Sequence, residues 1–359
     1  MPRQLHYDRT LCFTILLLTF FGLAMVFSAT TANSDPSFEF IIKQGVAAVI
    51  GLTAMRFFIF RDYHDWQHQH VAFGLVAATI LLLVVTLFFG TGPFGTRRFL
   101  RMGVLSLQGS EFAKPALVVF FAYMVQVWGD KMGKLRSVAG AGLVLGCIAL
   151  LIYSGKDLGA VVMVAVIAAS ILFTAGLHLG YFAGAAALAA PALVFAITSQ
   201  PYRWDRLVSF WNPEADPLKT GFQIIQSKIA VGSGGIAGHG LMLGRQKMRF
   251  LPEGHTDFIF AVIGEELGFF GCLFVVALFG IVLWRGIRTA MRAPDDFGRY
   301  LAIGLTTMIV GQAMVNMGVV LQLLPTKGMT LPFISYGGSS LIAMLAGAGL
   351  LLNVSQRAE

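Results

Sequence analysis

"FLPEGHTDFIFAVIGEELG", Phe250 to Gly268, passes from a polar turn into an apolar run that continues to about residue 284, with Asp257 at its mouth and Glu265 and Glu266 inside it. Crossing a hydrocarbon layer of about 30 Å takes roughly 20 helical residues, so a run of this length reads as a membrane helix. At 1.5 Å and 100° per residue, Glu265 falls about 12 Å beyond Asp257, and Glu266 turns to the opposite side of the axis. The three acids therefore cannot form one cluster. Asp257 has no basic residue within one helical turn and faces the outer water layer. On position alone it suits a helix cap somewhat better than a group that acts on a substrate. The glutamates read as buried partners for lysines or for neighbouring helices.

The rest of the chain carries the same signal. Its 359 residues are 57% hydrophobic and 12% charged, which excludes disorder and makes lipid the solvent. Ten candidate spans lie near 11–29, 39–58, 70–89, 112–128, 138–154, 157–176, 180–198, 257–284, 301–323 and 334–353. The fifth and sixth abut across "YSGKDLG", Tyr153 to Gly159, and can also be read as one broken or re-entrant element. The first run follows Arg3 and Arg9 like a signal peptide, but the many further spans make it an uncleaved first helix. The expected architecture is an all-α integral membrane protein, one polytopic domain over 1–359. Its single long connection, about 199–256, should hold a short amphipathic helix at the interface and then a flexible glycine-rich lip.

An even number of spans puts both termini on one side. Arg3, Arg9, Arg56, Arg61, Lys131, Lys134, Arg136, Arg285, Arg288, Arg292 and Arg299 all fall on that side, which makes it the cytoplasm. "GTRRFLR", Gly95 to Arg101, breaks the rule by placing Arg97, Arg98 and Arg101 outside, and so invites a functional reading. The formal charge of +8 encodes orientation or contact with anionic lipid, not a nucleic-acid partner. Cys12, Cys147 and Cys272 sit in apolar runs with no disulfide or zinc spacing.

Ionisable groups inside membrane segments are expensive, so each is a functional candidate. Glu111 and Lys114 in "SEFAK" share a helix face and can neutralise each other. Lys43 shows no local acid and should look across the bundle, to an anionic ligand or to a distant glutamate. Lys156 and Asp157 sit between the fifth and sixth spans. "GSGG", Gly232 to Gly235, could cradle a phosphate but more often marks a flexible turn. "PFISYGGSS", Pro332 to Ser340, offers the hydroxyls of Ser335, Tyr336, Ser339 and Ser340 without the base a nucleophile needs.

Five of these segments occur together: "SEFAK", "DLG" at Asp157 to Gly159, "GFQIIQSKIAVGSGGIAGHG" at Gly221 to Gly240, "FLPEGHTDFIFAVIGEELG", and "LPFISYGGSS" at Leu331 to Ser340. In order and spacing, nearly end to end, the chain resembles the SEDS family of shape, elongation, division and sporulation proteins, the FtsW and RodA type. "MVFSATTA" at Met25 to Ala32, "QKMRFLPEGHTDF" and "PTKGMTLPFISYGG" look more like the division branch, FtsW, than the elongation branch, RodA. Departures are Gly109 where the family usually has proline, Phe99 where tryptophan is common, and "SGKDLG" in place of "QPDLG".

The resemblance implies a ten-helix bundle with peptidoglycan glycosyltransferase activity. Such a protein polymerises lipid II, the undecaprenyl-pyrophosphate disaccharide pentapeptide, on the outer face of the bacterial cytoplasmic membrane. It makes Asp257 the catalytic residue, a general base in an inverting displacement, and not a cap. Lys43, Arg98, Arg101 and Lys114 would hold the diphosphate. Glu111, Asp157, His255, Ser335 and Ser339 complete the expected substrate-binding set. No metal-ligand spacing appears, although an acid beside a pyrophosphate could share a divalent ion, Mg or Mn. The implied partner is a class B penicillin-binding transpeptidase. A rival reading is a lipid II flippase of the same architecture, against which no inverted repeat is visible. A third is a non-catalytic scaffold for other wall enzymes.

Overall fold

The computed structural model describes residues 7–30, 38–92, 95–103, 105–129, 133, 135–199, 201–217, 221–244, 251 and 253–358. Arg3, Lys131 and Lys134 of the orientation argument, and the segment 245–250, lie outside the described residues. In chain order the elements are α1 (Arg9–Thr30), α2 (Phe38–Phe60), a tight 3-10 turn (Tyr63–Trp66), α3 (Gln69–Phe89), a hairpin of β1 (Phe99–Met102) and β2 (Leu105–Gln108), and α4 (Gly109–Trp128). There follow α5 (Leu135–Ser154), α6 (Leu158–Thr174), α7 (Leu179–Thr198), α8 (Pro201–Trp211), α9 (Phe222–Ser233) and α10 (Ile259–Arg292). The last span but one is α11 (Asp296–Thr306) and α12 (Gln312–Val320) joined through a widened π turn (Thr307–Gly311), and α13 (Gly338–Ser355) ends the fold.

Among the described residues, nine helices are long and apolar enough to cross a membrane, and α6 is equally apolar but has 17 residues. The expected tenth crossing rests on α6, which at 1.5 Å per residue covers about 26 Å. It is a separate helix from α5. Between them Lys156 adopts φ 67°, and Arg98 closes the break by donating to the carbonyls of Gly155, at 3.2 Å, and Lys156.

The bundle has a centre and an edge. The small-residue helix α13 has 83% of its membrane window buried, whereas α7 has 6% and lies at the periphery. α13 runs along α2 so closely that a Cβ on Gly349 would come within 2.5 Å of the Met55 carbonyl oxygen. Small residues permit this approach where lipid supplies no hydrophobic drive for helix association. The first and last helices end on one face, where Asp8 N donates to Ser355 Oγ at 3.1 Å. On that face Tyr63 N also donates to Asn353 Oδ1 at 3.0 Å, and Arg357 pairs with Asp62. The hairpin, α8, α9, the turn before α10 and the 326–337 segment gather at the opposite end.

The long connection departs from expectation twice. It contains two helices, because α8, "PYRWDRLVSFW", hides behind three charges that break its hydropathy. Nor does α9 lie free at the interface: Ile224, Ser227 and Ala230 are buried, and Ser227 Oγ donates to the carbonyl of Val320 at 3.0 Å.

The expected flexible lip is tied down. Gly268 sits at φ 64°, ψ −158° inside α10 and breaks the helical ladder there. The carbonyls of Glu265 and Glu266, which would have accepted from Phe269 and Phe270, accept instead from His239 N at 3.1 Å and Gly240 N at 2.9 Å. The freed N–H groups of Phe269 and Phe270 donate to Gly235 O at 2.9 Å and Ile236 O at 3.3 Å. Four groups lost by the kink are all recovered from "GSGGIAGHG", as a membrane setting demands, where each unmet group costs several kcal/mol. Gly234 and Gly238 permit the close approach, since a Cβ there would lie 1.9 Å from Gly264 O and 2.1 Å from Glu266 O. Glu266 is buried too, accepting from Ser28 Oγ at 2.6 Å and Met242 N at 3.1 Å.

Candidate functional site

Asp257 does not cap α10. The helix begins at Ile259 with Phe258 at its cap position and no side-chain capping bond. Instead the turn carrying Asp257 is held through three consecutive carbonyls. His255 O accepts from Tyr336 N at 2.9 Å, Thr256 O from Ser335 Oγ at 2.6 Å, and Asp257 O from Asn316 Nδ2 at 2.8 Å. Inside the turn Thr256 N and Phe258 N both donate to the carbonyl of Glu253. Ser335 Oγ in turn accepts from Leu331 N at 2.7 Å, and Gln44 on α2 grips the same segment by donating to Ser335 O and accepting from Gly337 N, both at 3.1 Å. The main chain of Asp257 is thus fixed from α12 and from the segment that leads into α13, which α2 holds in turn.

Its carboxylate is treated differently. Among the described residues no hydrogen bond or ion pair engages it, while Gly328 stands so near that a Cβ there would lie 3.2 Å from Oδ2. The residue keeps part of its surface open, but the carboxyl group sits deep among its neighbours. Burial, reinforced by Glu253 and Asp157, therefore raises its pKa to about 7 against the pull of Arg206 and Arg98. A group in this state is partly ionised at neutral pH and has lone pairs free, which suits it to take a proton. Three non-glycine residues around the turn, Lys156, Glu253 and Phe333, hold φ of 67°, 58° and 65°. Such strain costs of order 1 kcal/mol each and persists where surrounding structure imposes it.

Of the other expected residues, Arg98 stands within electrostatic reach of Asp257, and its carbonyl contacts leave part of the guanidinium fork for an anion. Asp157 caps α6 by accepting from Ala160 N at 3.1 Å, and its other oxygen accepts from Gln108 Nε2 and Ser110 Oγ, each at 3.0 Å. His255 packs its ring against Phe40 and Tyr336, and burial lowers its pKa. Ser339 joins α13 to the hairpin, donating to Ser106 O at 2.6 Å and accepting from Gln108 N at 3.0 Å. Glu111 and Lys114 form a buried pair at 2.8 Å, and Lys114 also donates to Gln312 Oε1, so its protons are spent inside the bundle.

Lys43 corrects the expectation that it has no local acid. It pairs with Glu39 one helical turn earlier, an acid overlooked because it sits at the helix start where charges look solvated. It flanks the turn with exposed Arg101 and Tyr336 in electrostatic reach. Among the described residues no group of three His, Cys, Asp or Glu gathers to hold a metal. A divalent ion here would take most of its ligands from a bound phosphate.

Four residues escaped the sequence reading: Gln44, Gln312, Asn316 and Arg206. The first three are neutral amides in apolar helices, where a polar side chain with no charge raises no alarm. Each nevertheless had a signal, since an amide buried in lipid must find partners. Arg206 was missed together with α8.

A family model named FTSW_RODA_SPOVE and described as "Cell cycle protein" matches residues 8–359. A relative from Geobacter metallireducens, named "Probable peptidoglycan glycosyltransferase FtsW", is 43% identical over 357 residues, covering 98% of this chain and 95% of that protein. "Stage V sporulation protein E" of Bacillus subtilis is 41% identical, covering 96% and 95%. Among solved structures, a chain from work on a peptidoglycan synthase complex that coordinates polymerization and crosslinking superposes with TM-score 0.80 at 30% identity, covering 98% of both chains. The rod shape determining protein RodA of Thermus thermophilus gives TM-score 0.74 at 28% identity over the whole of both chains.

Proposed function

The chain belongs to the FtsW, RodA and SpoVE family of cell cycle proteins, and we propose that it polymerises lipid II into glycan strands as a peptidoglycan glycosyltransferase of the FtsW type, with Asp257 as general base. The observation that carries the reading is a carboxylate whose main chain is fixed at three carbonyls while its oxygens meet no donor among the described residues.

Asp257 takes the proton from the 4-hydroxyl of the acceptor N-acetylglucosamine as that oxygen attacks the anomeric carbon of the donor N-acetylmuramic acid. Bond formation and loss of the diphosphate occur on opposite faces, so an α-linked donor gives a β-linked product. A diphosphate leaves without protonation, and one base suffices. Arg98 and Arg206, the cations closest in effect to Asp257, hold the leaving diphosphate, and Lys43 and Arg101 receive anionic groups at the mouth. The buried Glu111, Lys114 and Gln312 set supports the wall behind the site.

The reaction places the site on the outer face of the cytoplasmic membrane. The polymerising and crosslinking complex among the structural neighbours supports a crosslinking partner, which we take to be a class B penicillin-binding transpeptidase. The test is a polymerisation assay on purified protein with lipid II in detergent, where a flippase would make no glycan. Asp257→Asn should cut the rate by about 100-fold or more while the melting profile shows a folded protein. Full activity in that variant would remove Asp257 as the base.

A further inference from the structure

Asn316 lies on α12 with 2% of its surface exposed, and both N–H groups of its carboxamide go to main chain. Nδ2 donates to Asp257 O at 2.8 Å and to Met329 O at 2.7 Å. These carbonyls belong to two walls of one gap. The first is the turn that carries the carboxylate; the second is the Lys327–Met329 segment, whose Gly328 faces Asp257 Oδ2. One planar amino group bonded to both fixes their separation, and with it the room around the carboxylate. The amide sits only one way round, because reversal would point Oδ1 at two carbonyl oxygens. That choice leaves Oδ1 buried without a hydrogen-bond partner among the described residues, a cost that packing alone does not explain.

The backbone aims the residue. α12 follows the π turn at Thr307–Gly311, a widening that recurs at functional sites. Past it, Gln312 and Asn316 stand one turn apart on one face. Gln312 Nε2 donates to Thr330 O at 3.0 Å, so the two amides hold successive carbonyls of the same wall.

We infer that Asn316 is a positioning residue for glycosyl transfer: its carboxamide clamps the Asp257 turn to the Lys327–Met329 wall and keeps the carboxylate in a narrow gap beside the acceptor hydroxyl. The inference rests on the reading of Asp257 as general base. The charged groups acting on Asp257 are Glu253 on its own turn, Arg206 from α8, Arg98 ahead of β1 and Asp157 at the start of α6; His255 on the turn and Lys327 on the opposite wall are its other titratable neighbours along the two segments. Asn316 adds no charge to this set, so a change at 316 reaches Asp257 only through geometry and access of water.

The experiment measures kcat, KM and the pH profile of lipid II polymerisation for full-length wild type, Asn316→Leu, Asn316→Ser and Asp257→Asn, with melting curves for each. Leucine keeps the shape and removes both donors. Its kcat should fall about 10-fold or more with KM within about 3-fold, as expected for lost alignment. Its acid limb should also move to lower pH, because burial is what holds Asp257 near 7 and a loosened gap admits water. If the leucine variant does not fold, the serine variant, which leaves space for a water, reads the same quantities. Unchanged kcat overturns the inference, as does a kcat that falls only in step with the folded fraction while the acid limb stays put. Asp257→Asn separates the two claims: if it is inactive and Asn316→Leu is normal, only the clamp fails; if it is active, the base assignment fails and the clamp with it.

Discussion

Asp257 holds its proton to about pH 7 in the folded protein, whereas in an unfolded chain an aspartate releases it near pH 4. Between those values the folded state binds more protons, so stability falls as pH rises from about 4 to about 7 and is level above. Above pH 7 the protein carries a desolvated charge that asparagine would not. Asp257→Asn should therefore melt about 1–3 °C higher than wild type at pH 8, with the gap closing towards pH 5. A variant melting lower at pH 8 would mean that the carboxylate is stabilised, not strained, by its setting. Activity should run the other way, rising through pH 7 as the base ionises. The sequence made Asp257 visible as an acid with no basic neighbour in its turn. It could not display the grip of Asn316, Ser335 and Tyr336, whose partner carbonyls lie 59 to 81 residues away along the chain.

At the scale of elements, what could be read was set by length and hydropathy, and what could not was set by hydrogen bonding. The spans announce themselves because lipid requires about 20 apolar residues, and their positions agree with the helices to within a few residues at most ends. The hairpin is four residues a side, α8 is masked by charge, and the kink at Gly268 looks like any glycine in a membrane helix. Its role can be tested by comparison within α10. A Cβ at Gly268 would lie 2.4 Å from Gly238 N and 2.6 Å from Ile236 O, at a φ of 64°. A Cβ at Gly280 meets nothing within 4 Å. Gly268→Ala should cost about 2 kcal/mol or more and speed hydrogen exchange at Phe269 and Phe270. Gly280→Ala should be neutral or stabilising by up to about 1 kcal/mol. Equal melting temperatures for the two would show that the 234–240 segment is not what secures the break.

For the molecule as a whole, the two faces differ in how their charges are used. On the face where α1 and α13 end, Arg61, Arg285, Arg299 and Arg357 each pair with an aspartate of the same face, so basic residues there serve folding and orientation together. At the opposite end Arg98 and Arg206 act on a carboxylate that no ion pair neutralises among the described residues, and Arg101 is exposed; with that end outside, these arginines would dilute the positive-inside bias without reversing it. If the Asp257 face is extracytoplasmic, the short stretch at Pro213–Ala215 between α8 and α9 is as well. An alkaline phosphatase domain inserted there should be active, because it folds only in an oxidising compartment. The same domain fused after residue 359 should be inactive, and a fluorescent protein at that position should be bright. These fusions use the full bundle, so insertion is set by all its spans and not by a truncated set. The opposite pattern would put Asp257, its arginines and the proposed lipid II site in the cytosol, where extracytoplasmic strand synthesis could not draw on them.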